Sequence, residues 1–389
     1  MQNESYKAEN TDELVWLRLN RLKSTRLCEN LLRSKLEKEP NELITEDIIK
    51  AKAIGISSAI ESAIGYWQTP SLSCNARILS RYYFLLQLTI AEQVSSIKTT
   101  DTLKEIQKHT ENGHGLGIIS NPAGEFPDNM YVFALNGGHF HSYAKSVGLD
   151  VKRIALEKRP KKFEDVTEPK KLISVLDLFS RIPELNKVIE EYTDKLPQSF
   201  HVGHSQSNML RESEAIKDHI KLTGKFTTEL PKGATKVSDV AFYTNQRSFT
   251  IEYLESLNLP FDSYENYTDV LGRDSYIIGK LTHPSDILWH QVIGTYSSSH
   301  ATLTYALPVW SDQYNSIIAN FTLLYALSIV VRYLPDLWFR INNGDINHMG
   351  SLIEYYISII DHVLPLQMLE RITEAKIAIH NPGSFFGEI

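Results

Sequence analysis

The stretch Ala76–Ser95, ARILSRYYFLLQLTIAEQVS, decides how the rest of the chain is read. Ile78, Tyr82, Leu85, Leu86 and Thr89 recur at the three-and-four spacing of one apolar helical face. Asn75 stands directly before it, where its side chain can accept a free backbone N–H and cap the first turn. Arg77 and Arg81 are four residues apart and project from one side, beside Tyr82 and Tyr83. Two readings follow. In the first, the tyrosines pack in a bundle core with hydroxyls at its rim, and the arginines meet carboxylates. In the second, Arg77, Arg81 and Tyr82 meet His114, which sits between Gly113 and Gly115 in a loop that returns toward the helix start. That grouping would seek a phosphate, a nucleotide or a partner's carboxylate.

A chain of 389 residues exceeds one usual hydrophobic core, which predicts two or three packed units. A net charge of −7 gives no global attraction for nucleic acid. A local exception is Lys152 to Lys171, where eight basic residues are interrupted by Glu157, Glu164, Asp165 and Glu168, the pattern of a solvated surface. Two cysteines, Cys28 and Cys74, fit a reducing compartment and exclude a disulfide framework. The polar start MQNESYKAENTDELVW lacks the apolar core of a signal peptide. Ile317 to Val331, IIANFTLLYALSIVV, is shorter than a membrane span and reads as a helix buried on all sides. The expected location is the cytoplasm, with no membrane partner.

Outward from the central stretch, residues 11 to 40 read as one leucine-rich helix closed by Pro40, and Glu46 to Tyr66 as a second. Thr100 to His109 predicts a short helix ended by Asn112-Gly113. Leu172 to Phe179 and Ile182 to Tyr192 also look helical. Alternation from His219 to Phe226, Ser248 to Leu254, Ser275 to Leu281 and Val292 to Leu307 predicts antiparallel strands. Asp312 is placed to cap a long helix running to Tyr333. Pro335 stops it, so the chain turns and drops Trp338 onto the bundle, with Arg332 holding a carboxylate or the last helix carbonyls. Helices from Asp345 to Val363 and Leu366 to Ile379 follow. The fold class is α+β, predominantly α. Its regions are helices at 1–120, a mixed middle with antiparallel strands at 121–307, and C-terminal helices at 308–389 that pack on the bundle.

Several chemistries fail on spacing. His139-Phe-His141 on a strand would point both rings to one face, and His201, His204, His109 and His114 are near in sequence. No Cys pair or His-Glu-x-x-His supports a metal, and none is assigned. Phosphate-loop and dinucleotide signatures are missing, so no cofactor is assigned. Ser297-Ser-Ser-His300 has no glycine elbow around a nucleophile.

Two stretches read together carry a resemblance. Ala76-Arg77-x-x-Ser80-Arg81-Tyr82-Tyr83, Ala91-Glu92 and Gly113-His114-Gly115 are similar to the HEPN superfamily of helical bundles. Leu307-Pro308-x-Trp310 and Ala326-Leu-Ser-x-x-x-Arg332-Tyr333-x-Pro335-Asp336-Leu337-Trp338 resemble the YaaC-like family more specifically. The second likeness implies a cytoplasmic prokaryotic protein. Many HEPN proteins are ribonucleases in which an arginine stabilises phosphate charge and a nearby histidine on the same helix moves a proton. Arg340 and His348 come nearest to that pairing, but seven residues and Asn343-Gly344 separate them. The expected function is therefore a binding or assembly protein with a degenerate HEPN-like bundle, forming a homo-oligomer or meeting a protein partner. It would recognise a nucleotide, RNA or protein in a stress or antiviral defence setting. The alternative is a metal-independent HEPN-type ribonuclease.

Overall fold

The computed structural model describes residues 2–68, 73–204, 216–226, 234–243, 249–268 and 275–380. The architecture is α+β and predominantly α. Two compact units divide it: Met1–Leu178 with Ile317–Ile389, and Phe179–Ser316. Residues 121–178, grouped with the middle of the chain in the sequence reading, thus lie in the first unit.

In the first unit, helices α1 (Thr11–Arg21) and α2 (Thr25–Lys38) replace the single helix expected over 11–40. The break at Leu22-Lys23-Ser24 frees two carbonyls, and both find donors. Cys28 Sγ donates to Leu22 O at 3.1 Å and Ser57 Oγ to Lys23 O at 2.6 Å. Then come α3 (Glu46–Gln68) and α4 (Cys74–Ser95), which pack together. Asn75 is not the cap expected of it. The Arg77 amide donates to Ser73 O at 3.1 Å, so the helical ladder starts at Ser73 and Asn75 lies inside the first turn. The burial of α4 also exceeds one face, since Phe84, Leu88, Ile90 and Val94 are buried along with Ile78, Tyr82, Leu85 and Leu86.

The C-terminal end of α4 is itself inside the protein, where spare carbonyls carry partial negative charge. Two buried lysines serve it. Lys52 Nζ donates to the carbonyls of Val94, Ser96 and Asp101 at 3.2, 3.0 and 2.8 Å. Lys35 Nζ donates to Ser95 O at 3.0 Å and pairs with Glu374 at 2.8 Å. Burial pulls the Lys52 pKa down to about 8.

The far end of the chain completes this bundle. The helix Ser316–Tyr333 starts four residues beyond Asp312, and Ile317 to Ser328 are buried without a break. It is long and apolar enough to cross a bilayer, yet 72% of it is buried within the fold. Pro335 opens the next helix, Pro335–Asn343, at its first position, where a missing N–H costs nothing. Trp338 is buried, as the proline turn predicts. The last segment is one helix, Asn347–Thr373, not two, because Pro365 is buried and the packed helix continues through it. Arg77 and Arg81 donate to Asp361 at 2.8 and 2.6 Å, and Arg371 donates to Glu92 at 2.8 Å. The contacts advance together along both chains, so α4 and this helix run parallel. The ends of the chain close likewise: β1 (Gln2–Lys7) pairs parallel with Ala375–His380, Gln2 opposite Ala375 and Lys7 opposite His380.

A short helix α5 (Leu103–Glu111) leads to a small sheet. There β2 (Leu116–Ser120) lies antiparallel to β3 (Met130–Leu135), and β3 also pairs with β4 (Ala155–Leu156) and β5 (Ile173–Ser174). Helix α6 (Gly138–Ser146) follows β3.

The second unit is a five-stranded antiparallel sheet. Its strands are β6 (Ser199–His204), β7 (Thr235–Phe242), β8 (Ser263–Thr268), β9 (Ser275–Pro284) and β10 (Thr304–Ala306), in the spatial order β10-β6-β7-β9-β8. Phe200, Val202, Val240, Phe242, Ile277 and Leu281 alternate into its core. Three expected strands fare differently. Residues 216–223 are helical, and so is Ile251–Ser256, where Thr250 caps the Tyr253 amide and Leu254 points into the core. Ser248 lies outside the described residues. Of Val292 to Leu307, only Thr304–Ala306 is strand, with Tyr296 bridging to Thr304. Of 172–192, Val175–Ser180 and Ile189–Thr193 are helical, separated by a turn at Pro183.

Two stability predictions follow. Lys52→Met should cost about 3 kcal/mol or more, because three inward carbonyls lose their donor. Urea melts should show that loss beside an unchanged Lys50→Met control, whose side chain is exposed. The second concerns His139, wholly buried on α6. Thr89 Oγ donates to Leu86 O, so its oxygen accepts the His139 Nε2 proton, and Nδ1 carries no proton and has no partner among the described residues. Burial drops the His139 pKa from 6.5 to about 3. Between those values the unfolded chain binds a proton that the folded chain refuses, so stability falls as pH falls, by up to about 1.4 kcal/mol per pH unit. His139→Gln should flatten the melting-temperature slope from pH 6.5 down to pH 4.5, and an unaltered slope would show another group responsible.

Candidate functional site

The Gly113-His114-Gly115 loop is held by the start of α6. The amides of His139 and Phe140 donate to the carbonyls of Gly113 and His114, both at 2.9 Å. Two backbones cross closely there. Gly115 has φ +79° and Gly138 φ +84°, and a Cβ on Gly138 would stand 2.5 Å from the Gly115 nitrogen. Glycine on both sides is thus a steric requirement.

This seating turns the His114 ring toward α4, where its Nδ1 lies 2.8 Å from Tyr82 Oη. Tyr82 is fully buried, and desolvation holds its hydroxyl pKa far above the usual value, so it keeps its proton. Nδ1 is the hydroxyl's hydrogen-bond partner among the described residues, so Tyr82 donates and Nδ1 accepts. The imidazole proton then sits on Nε2. Burial, and next the charge of Arg332, push the His114 pKa below its ordinary 6.5, which leaves the ring neutral at pH 7.

Arg332 comes from the last turn of Ser316–Tyr333. Its Nε and Nη2 donate to Ser328 O and Ser328 Oγ, both at 3.1 Å, and Nη1 donates to Tyr83 Oη at 3.3 Å. Every one of these acceptors is neutral. Among the described residues no carboxylate pairs with Arg332. Tyr325, from the same helix, donates to Leu116 O at 2.8 Å and sets its ring 5.9 Å from His114 and 6.0 Å from Tyr82. Burial raises the Tyr325 pKa, opposed by the positive charges of Arg159 and Arg332. Arg159 is exposed. The site is therefore a neutral imidazole, three tyrosines and a guanidinium that no carboxylate among the described residues neutralises.

Of the residues singled out from sequence, Tyr82 and His114 meet. Arg77 and Arg81 both hold Asp361, and Arg81 also lies 3.7 Å above the Trp67 ring. Arg340 makes a two-pronged pair with Asp345 at 2.8 and 2.7 Å, and His348 is exposed on the next helix. The sequence reading gave Arg332 a structural task, which it performs at Ser328, and overlooked its second role beside His114. Its signal was the unusual Arg-Tyr-x-Pro-x-x-Trp run. Arg159 lay in the basic segment read as plain surface. His139 and His141 sit on α6 rather than a strand, so the two rings do not share a face.

No curated protein and no solved structure matches the chain. A family model described as YaaC-like Protein matches residues 20–372. That span holds α4, the His114 loop and the Arg332 helix together. On this evidence the chain belongs to the YaaC-like protein family.

Proposed function

We propose that this is a binding protein whose first unit is a degenerate HEPN-like bundle and whose recognition point is the His114–Arg332 cluster. The observation that carries the reading is Arg332 itself. A guanidinium whose hydrogen-bond acceptors among the described residues are all neutral oxygens, beside a neutral imidazole, keeps both its charge and spare N–H donors for an incoming anion. Phosphate of RNA or a nucleotide suits that fork, and the half-buried Tyr83 ring beside it, stacked on Tyr66 at 5.2 Å, suits a base. The YaaC-like resemblance is the ground for a cytoplasmic prokaryotic setting, and the HEPN likeness for a role in stress or defence. Exposed Tyr333 and Phe339 support assembly with a second copy or another protein.

A second reading, a metal-independent ribonuclease, draws on the convergence of an arginine and a histidine from distant segments. The tautomer weighs against it. With Nδ1 occupied by Tyr82 and Nε2 protonated, His114 offers no free lone pair to act as a base.

Purified protein incubated with labelled total RNA, with and without divalent metal, tests both. Binding without cleavage is expected. Arg332→Ala should weaken it at least tenfold, while Arg340→Ala leaves it unchanged. Metal-independent cleavage that disappears in His114→Ala would install the nuclease reading instead, and RNA affinity indifferent to Arg332 would remove the cluster from both.

A further inference from the structure

We propose that the second unit carries a separate nucleobase-binding site on the outer face of β6. Phe200 and Val202 point into the core, so Ser199, His201 and Gly203 share the opposite face. A cavity of about 410 Å³ opens over it, with Ser199, His201, Thr302, Tyr243 and Phe249 in its walls. That is room for one nucleoside.

The stacking surface is built deliberately by geometry. The Tyr243 amide donates to His201 O at 3.0 Å, which anchors the residue beside the strand. Its ring lies against Gly203 so closely that a Cβ there would stand 2.4 Å from a ring carbon. Glycine thus lets the ring rest flat on the backbone. The Tyr243 and His201 centroids are 5.3 Å apart, and the row continues to Tyr276 at 5.7 Å and from there to Tyr267 at 4.8 Å. Tyr243 is 45% exposed, so a ring face stays open to a base.

Two polar groups wait beside that surface. His201 Nδ1 lies 2.7 Å from the Thr302 carbonyl, which can only accept, so Nδ1 carries the proton and Nε2 is an acceptor in the neutral ring. Ser199 Oγ is 1% exposed by residue and has no hydrogen-bond partner among the described residues, a cost that a ligand would relieve. A hydroxyl that can donate or accept, beside an imidazole acceptor, matches the mixed edge of a base. At the rim stand Lys187, with no carboxylate partner among the described residues, and Glu191. They suit a phosphate and a ribose hydroxyl respectively. This site uses none of the groups of the His114–Arg332 cluster and stands whether or not that reading does.

Full-length protein carrying Arg332→Ala, which removes the anion cluster of the helical unit, is titrated by calorimetry with AMP, GMP, CMP and UMP, with adenosine, and with inorganic phosphate. Saturable binding of at least one nucleotide is expected, retained in part by the nucleoside and not by phosphate. Tyr243→Ala should weaken it at least tenfold, Tyr243→Phe should keep it, and Ser199→Ala should weaken it several-fold with an unchanged melting temperature. The Arg332→Ala background separates this site from the one in the helical unit. Binding by phosphate alone, affinity indifferent to Tyr243→Ala, or no heat with any nucleotide at millimolar concentration would each overturn the proposal.

Discussion

Asp361 between two guanidinium groups is the constraint on which the helical unit depends. Arg77 and Arg81 converge on one carboxylate at 2.8 and 2.6 Å, at the side of a helix almost three hundred positions later in the chain. Arg81 is nearly buried, so its charge must be answered inside the protein. A second pair, Glu92 with Arg371, repeats the link farther along both helices, and Tyr143 adds a hydrogen bond to Glu92 at 2.8 Å. Ten residues part Asp361 from Arg371 and eleven part Arg81 from Glu92, nearly equal rises along two helices. Equal rise with the same direction fixes a parallel register. Directly after that helix, Ala375–His380 pairs in parallel with β1.

That register also explains why two lysines are buried. When α4 is enclosed by α3 and by the C-terminal helix, its last carbonyls lose access to water. Lys35 from α2 and Lys52 from α3 reach them, and Glu374, just past the end of the C-terminal helix, returns a charge to Lys35. Each lysine is expensive alone and useful only because the helix terminus is where it is.

The helices were legible where a single period governs them. The α4 face, the apolar Ser316–Tyr333 helix and the turn at Pro335 follow from spacing, hydropathy and the geometry of proline. The middle was less legible because short amphipathic runs satisfy two periods. Phe249, Ile251 and Tyr253 alternate as in a strand, whereas Ile251, Leu254 and Leu257 keep a helical spacing, and a threonine cap at Thr250 settles the matter in favour of the helix. The site was half legible. His114 and Tyr82 stand out by type and by flanking glycines, whereas the fate of Arg77 and Arg81 depends on Asp361, a residue with no local signal. Nothing in the sequence near Arg332 tells that no carboxylate reaches it.

This asymmetry among the arginines is what makes the cluster chemically distinct. Arg77, Arg81, Arg340 and Arg371 are each answered by a carboxylate, so their charge is spent on holding the fold. Arg332 is answered by a carbonyl, a serine hydroxyl and a tyrosine hydroxyl, which orient the guanidinium without neutralising it. Burial first, and the field of Arg332 second, lower the pKa of the half-buried His114, and Tyr82 holds that histidine in one tautomer. The outward group is thus an N–H donor rather than a base, next to a cation. An arrangement of donors without an acceptor favours anion capture over proton abstraction, and it does so through the same packing that buries Tyr82.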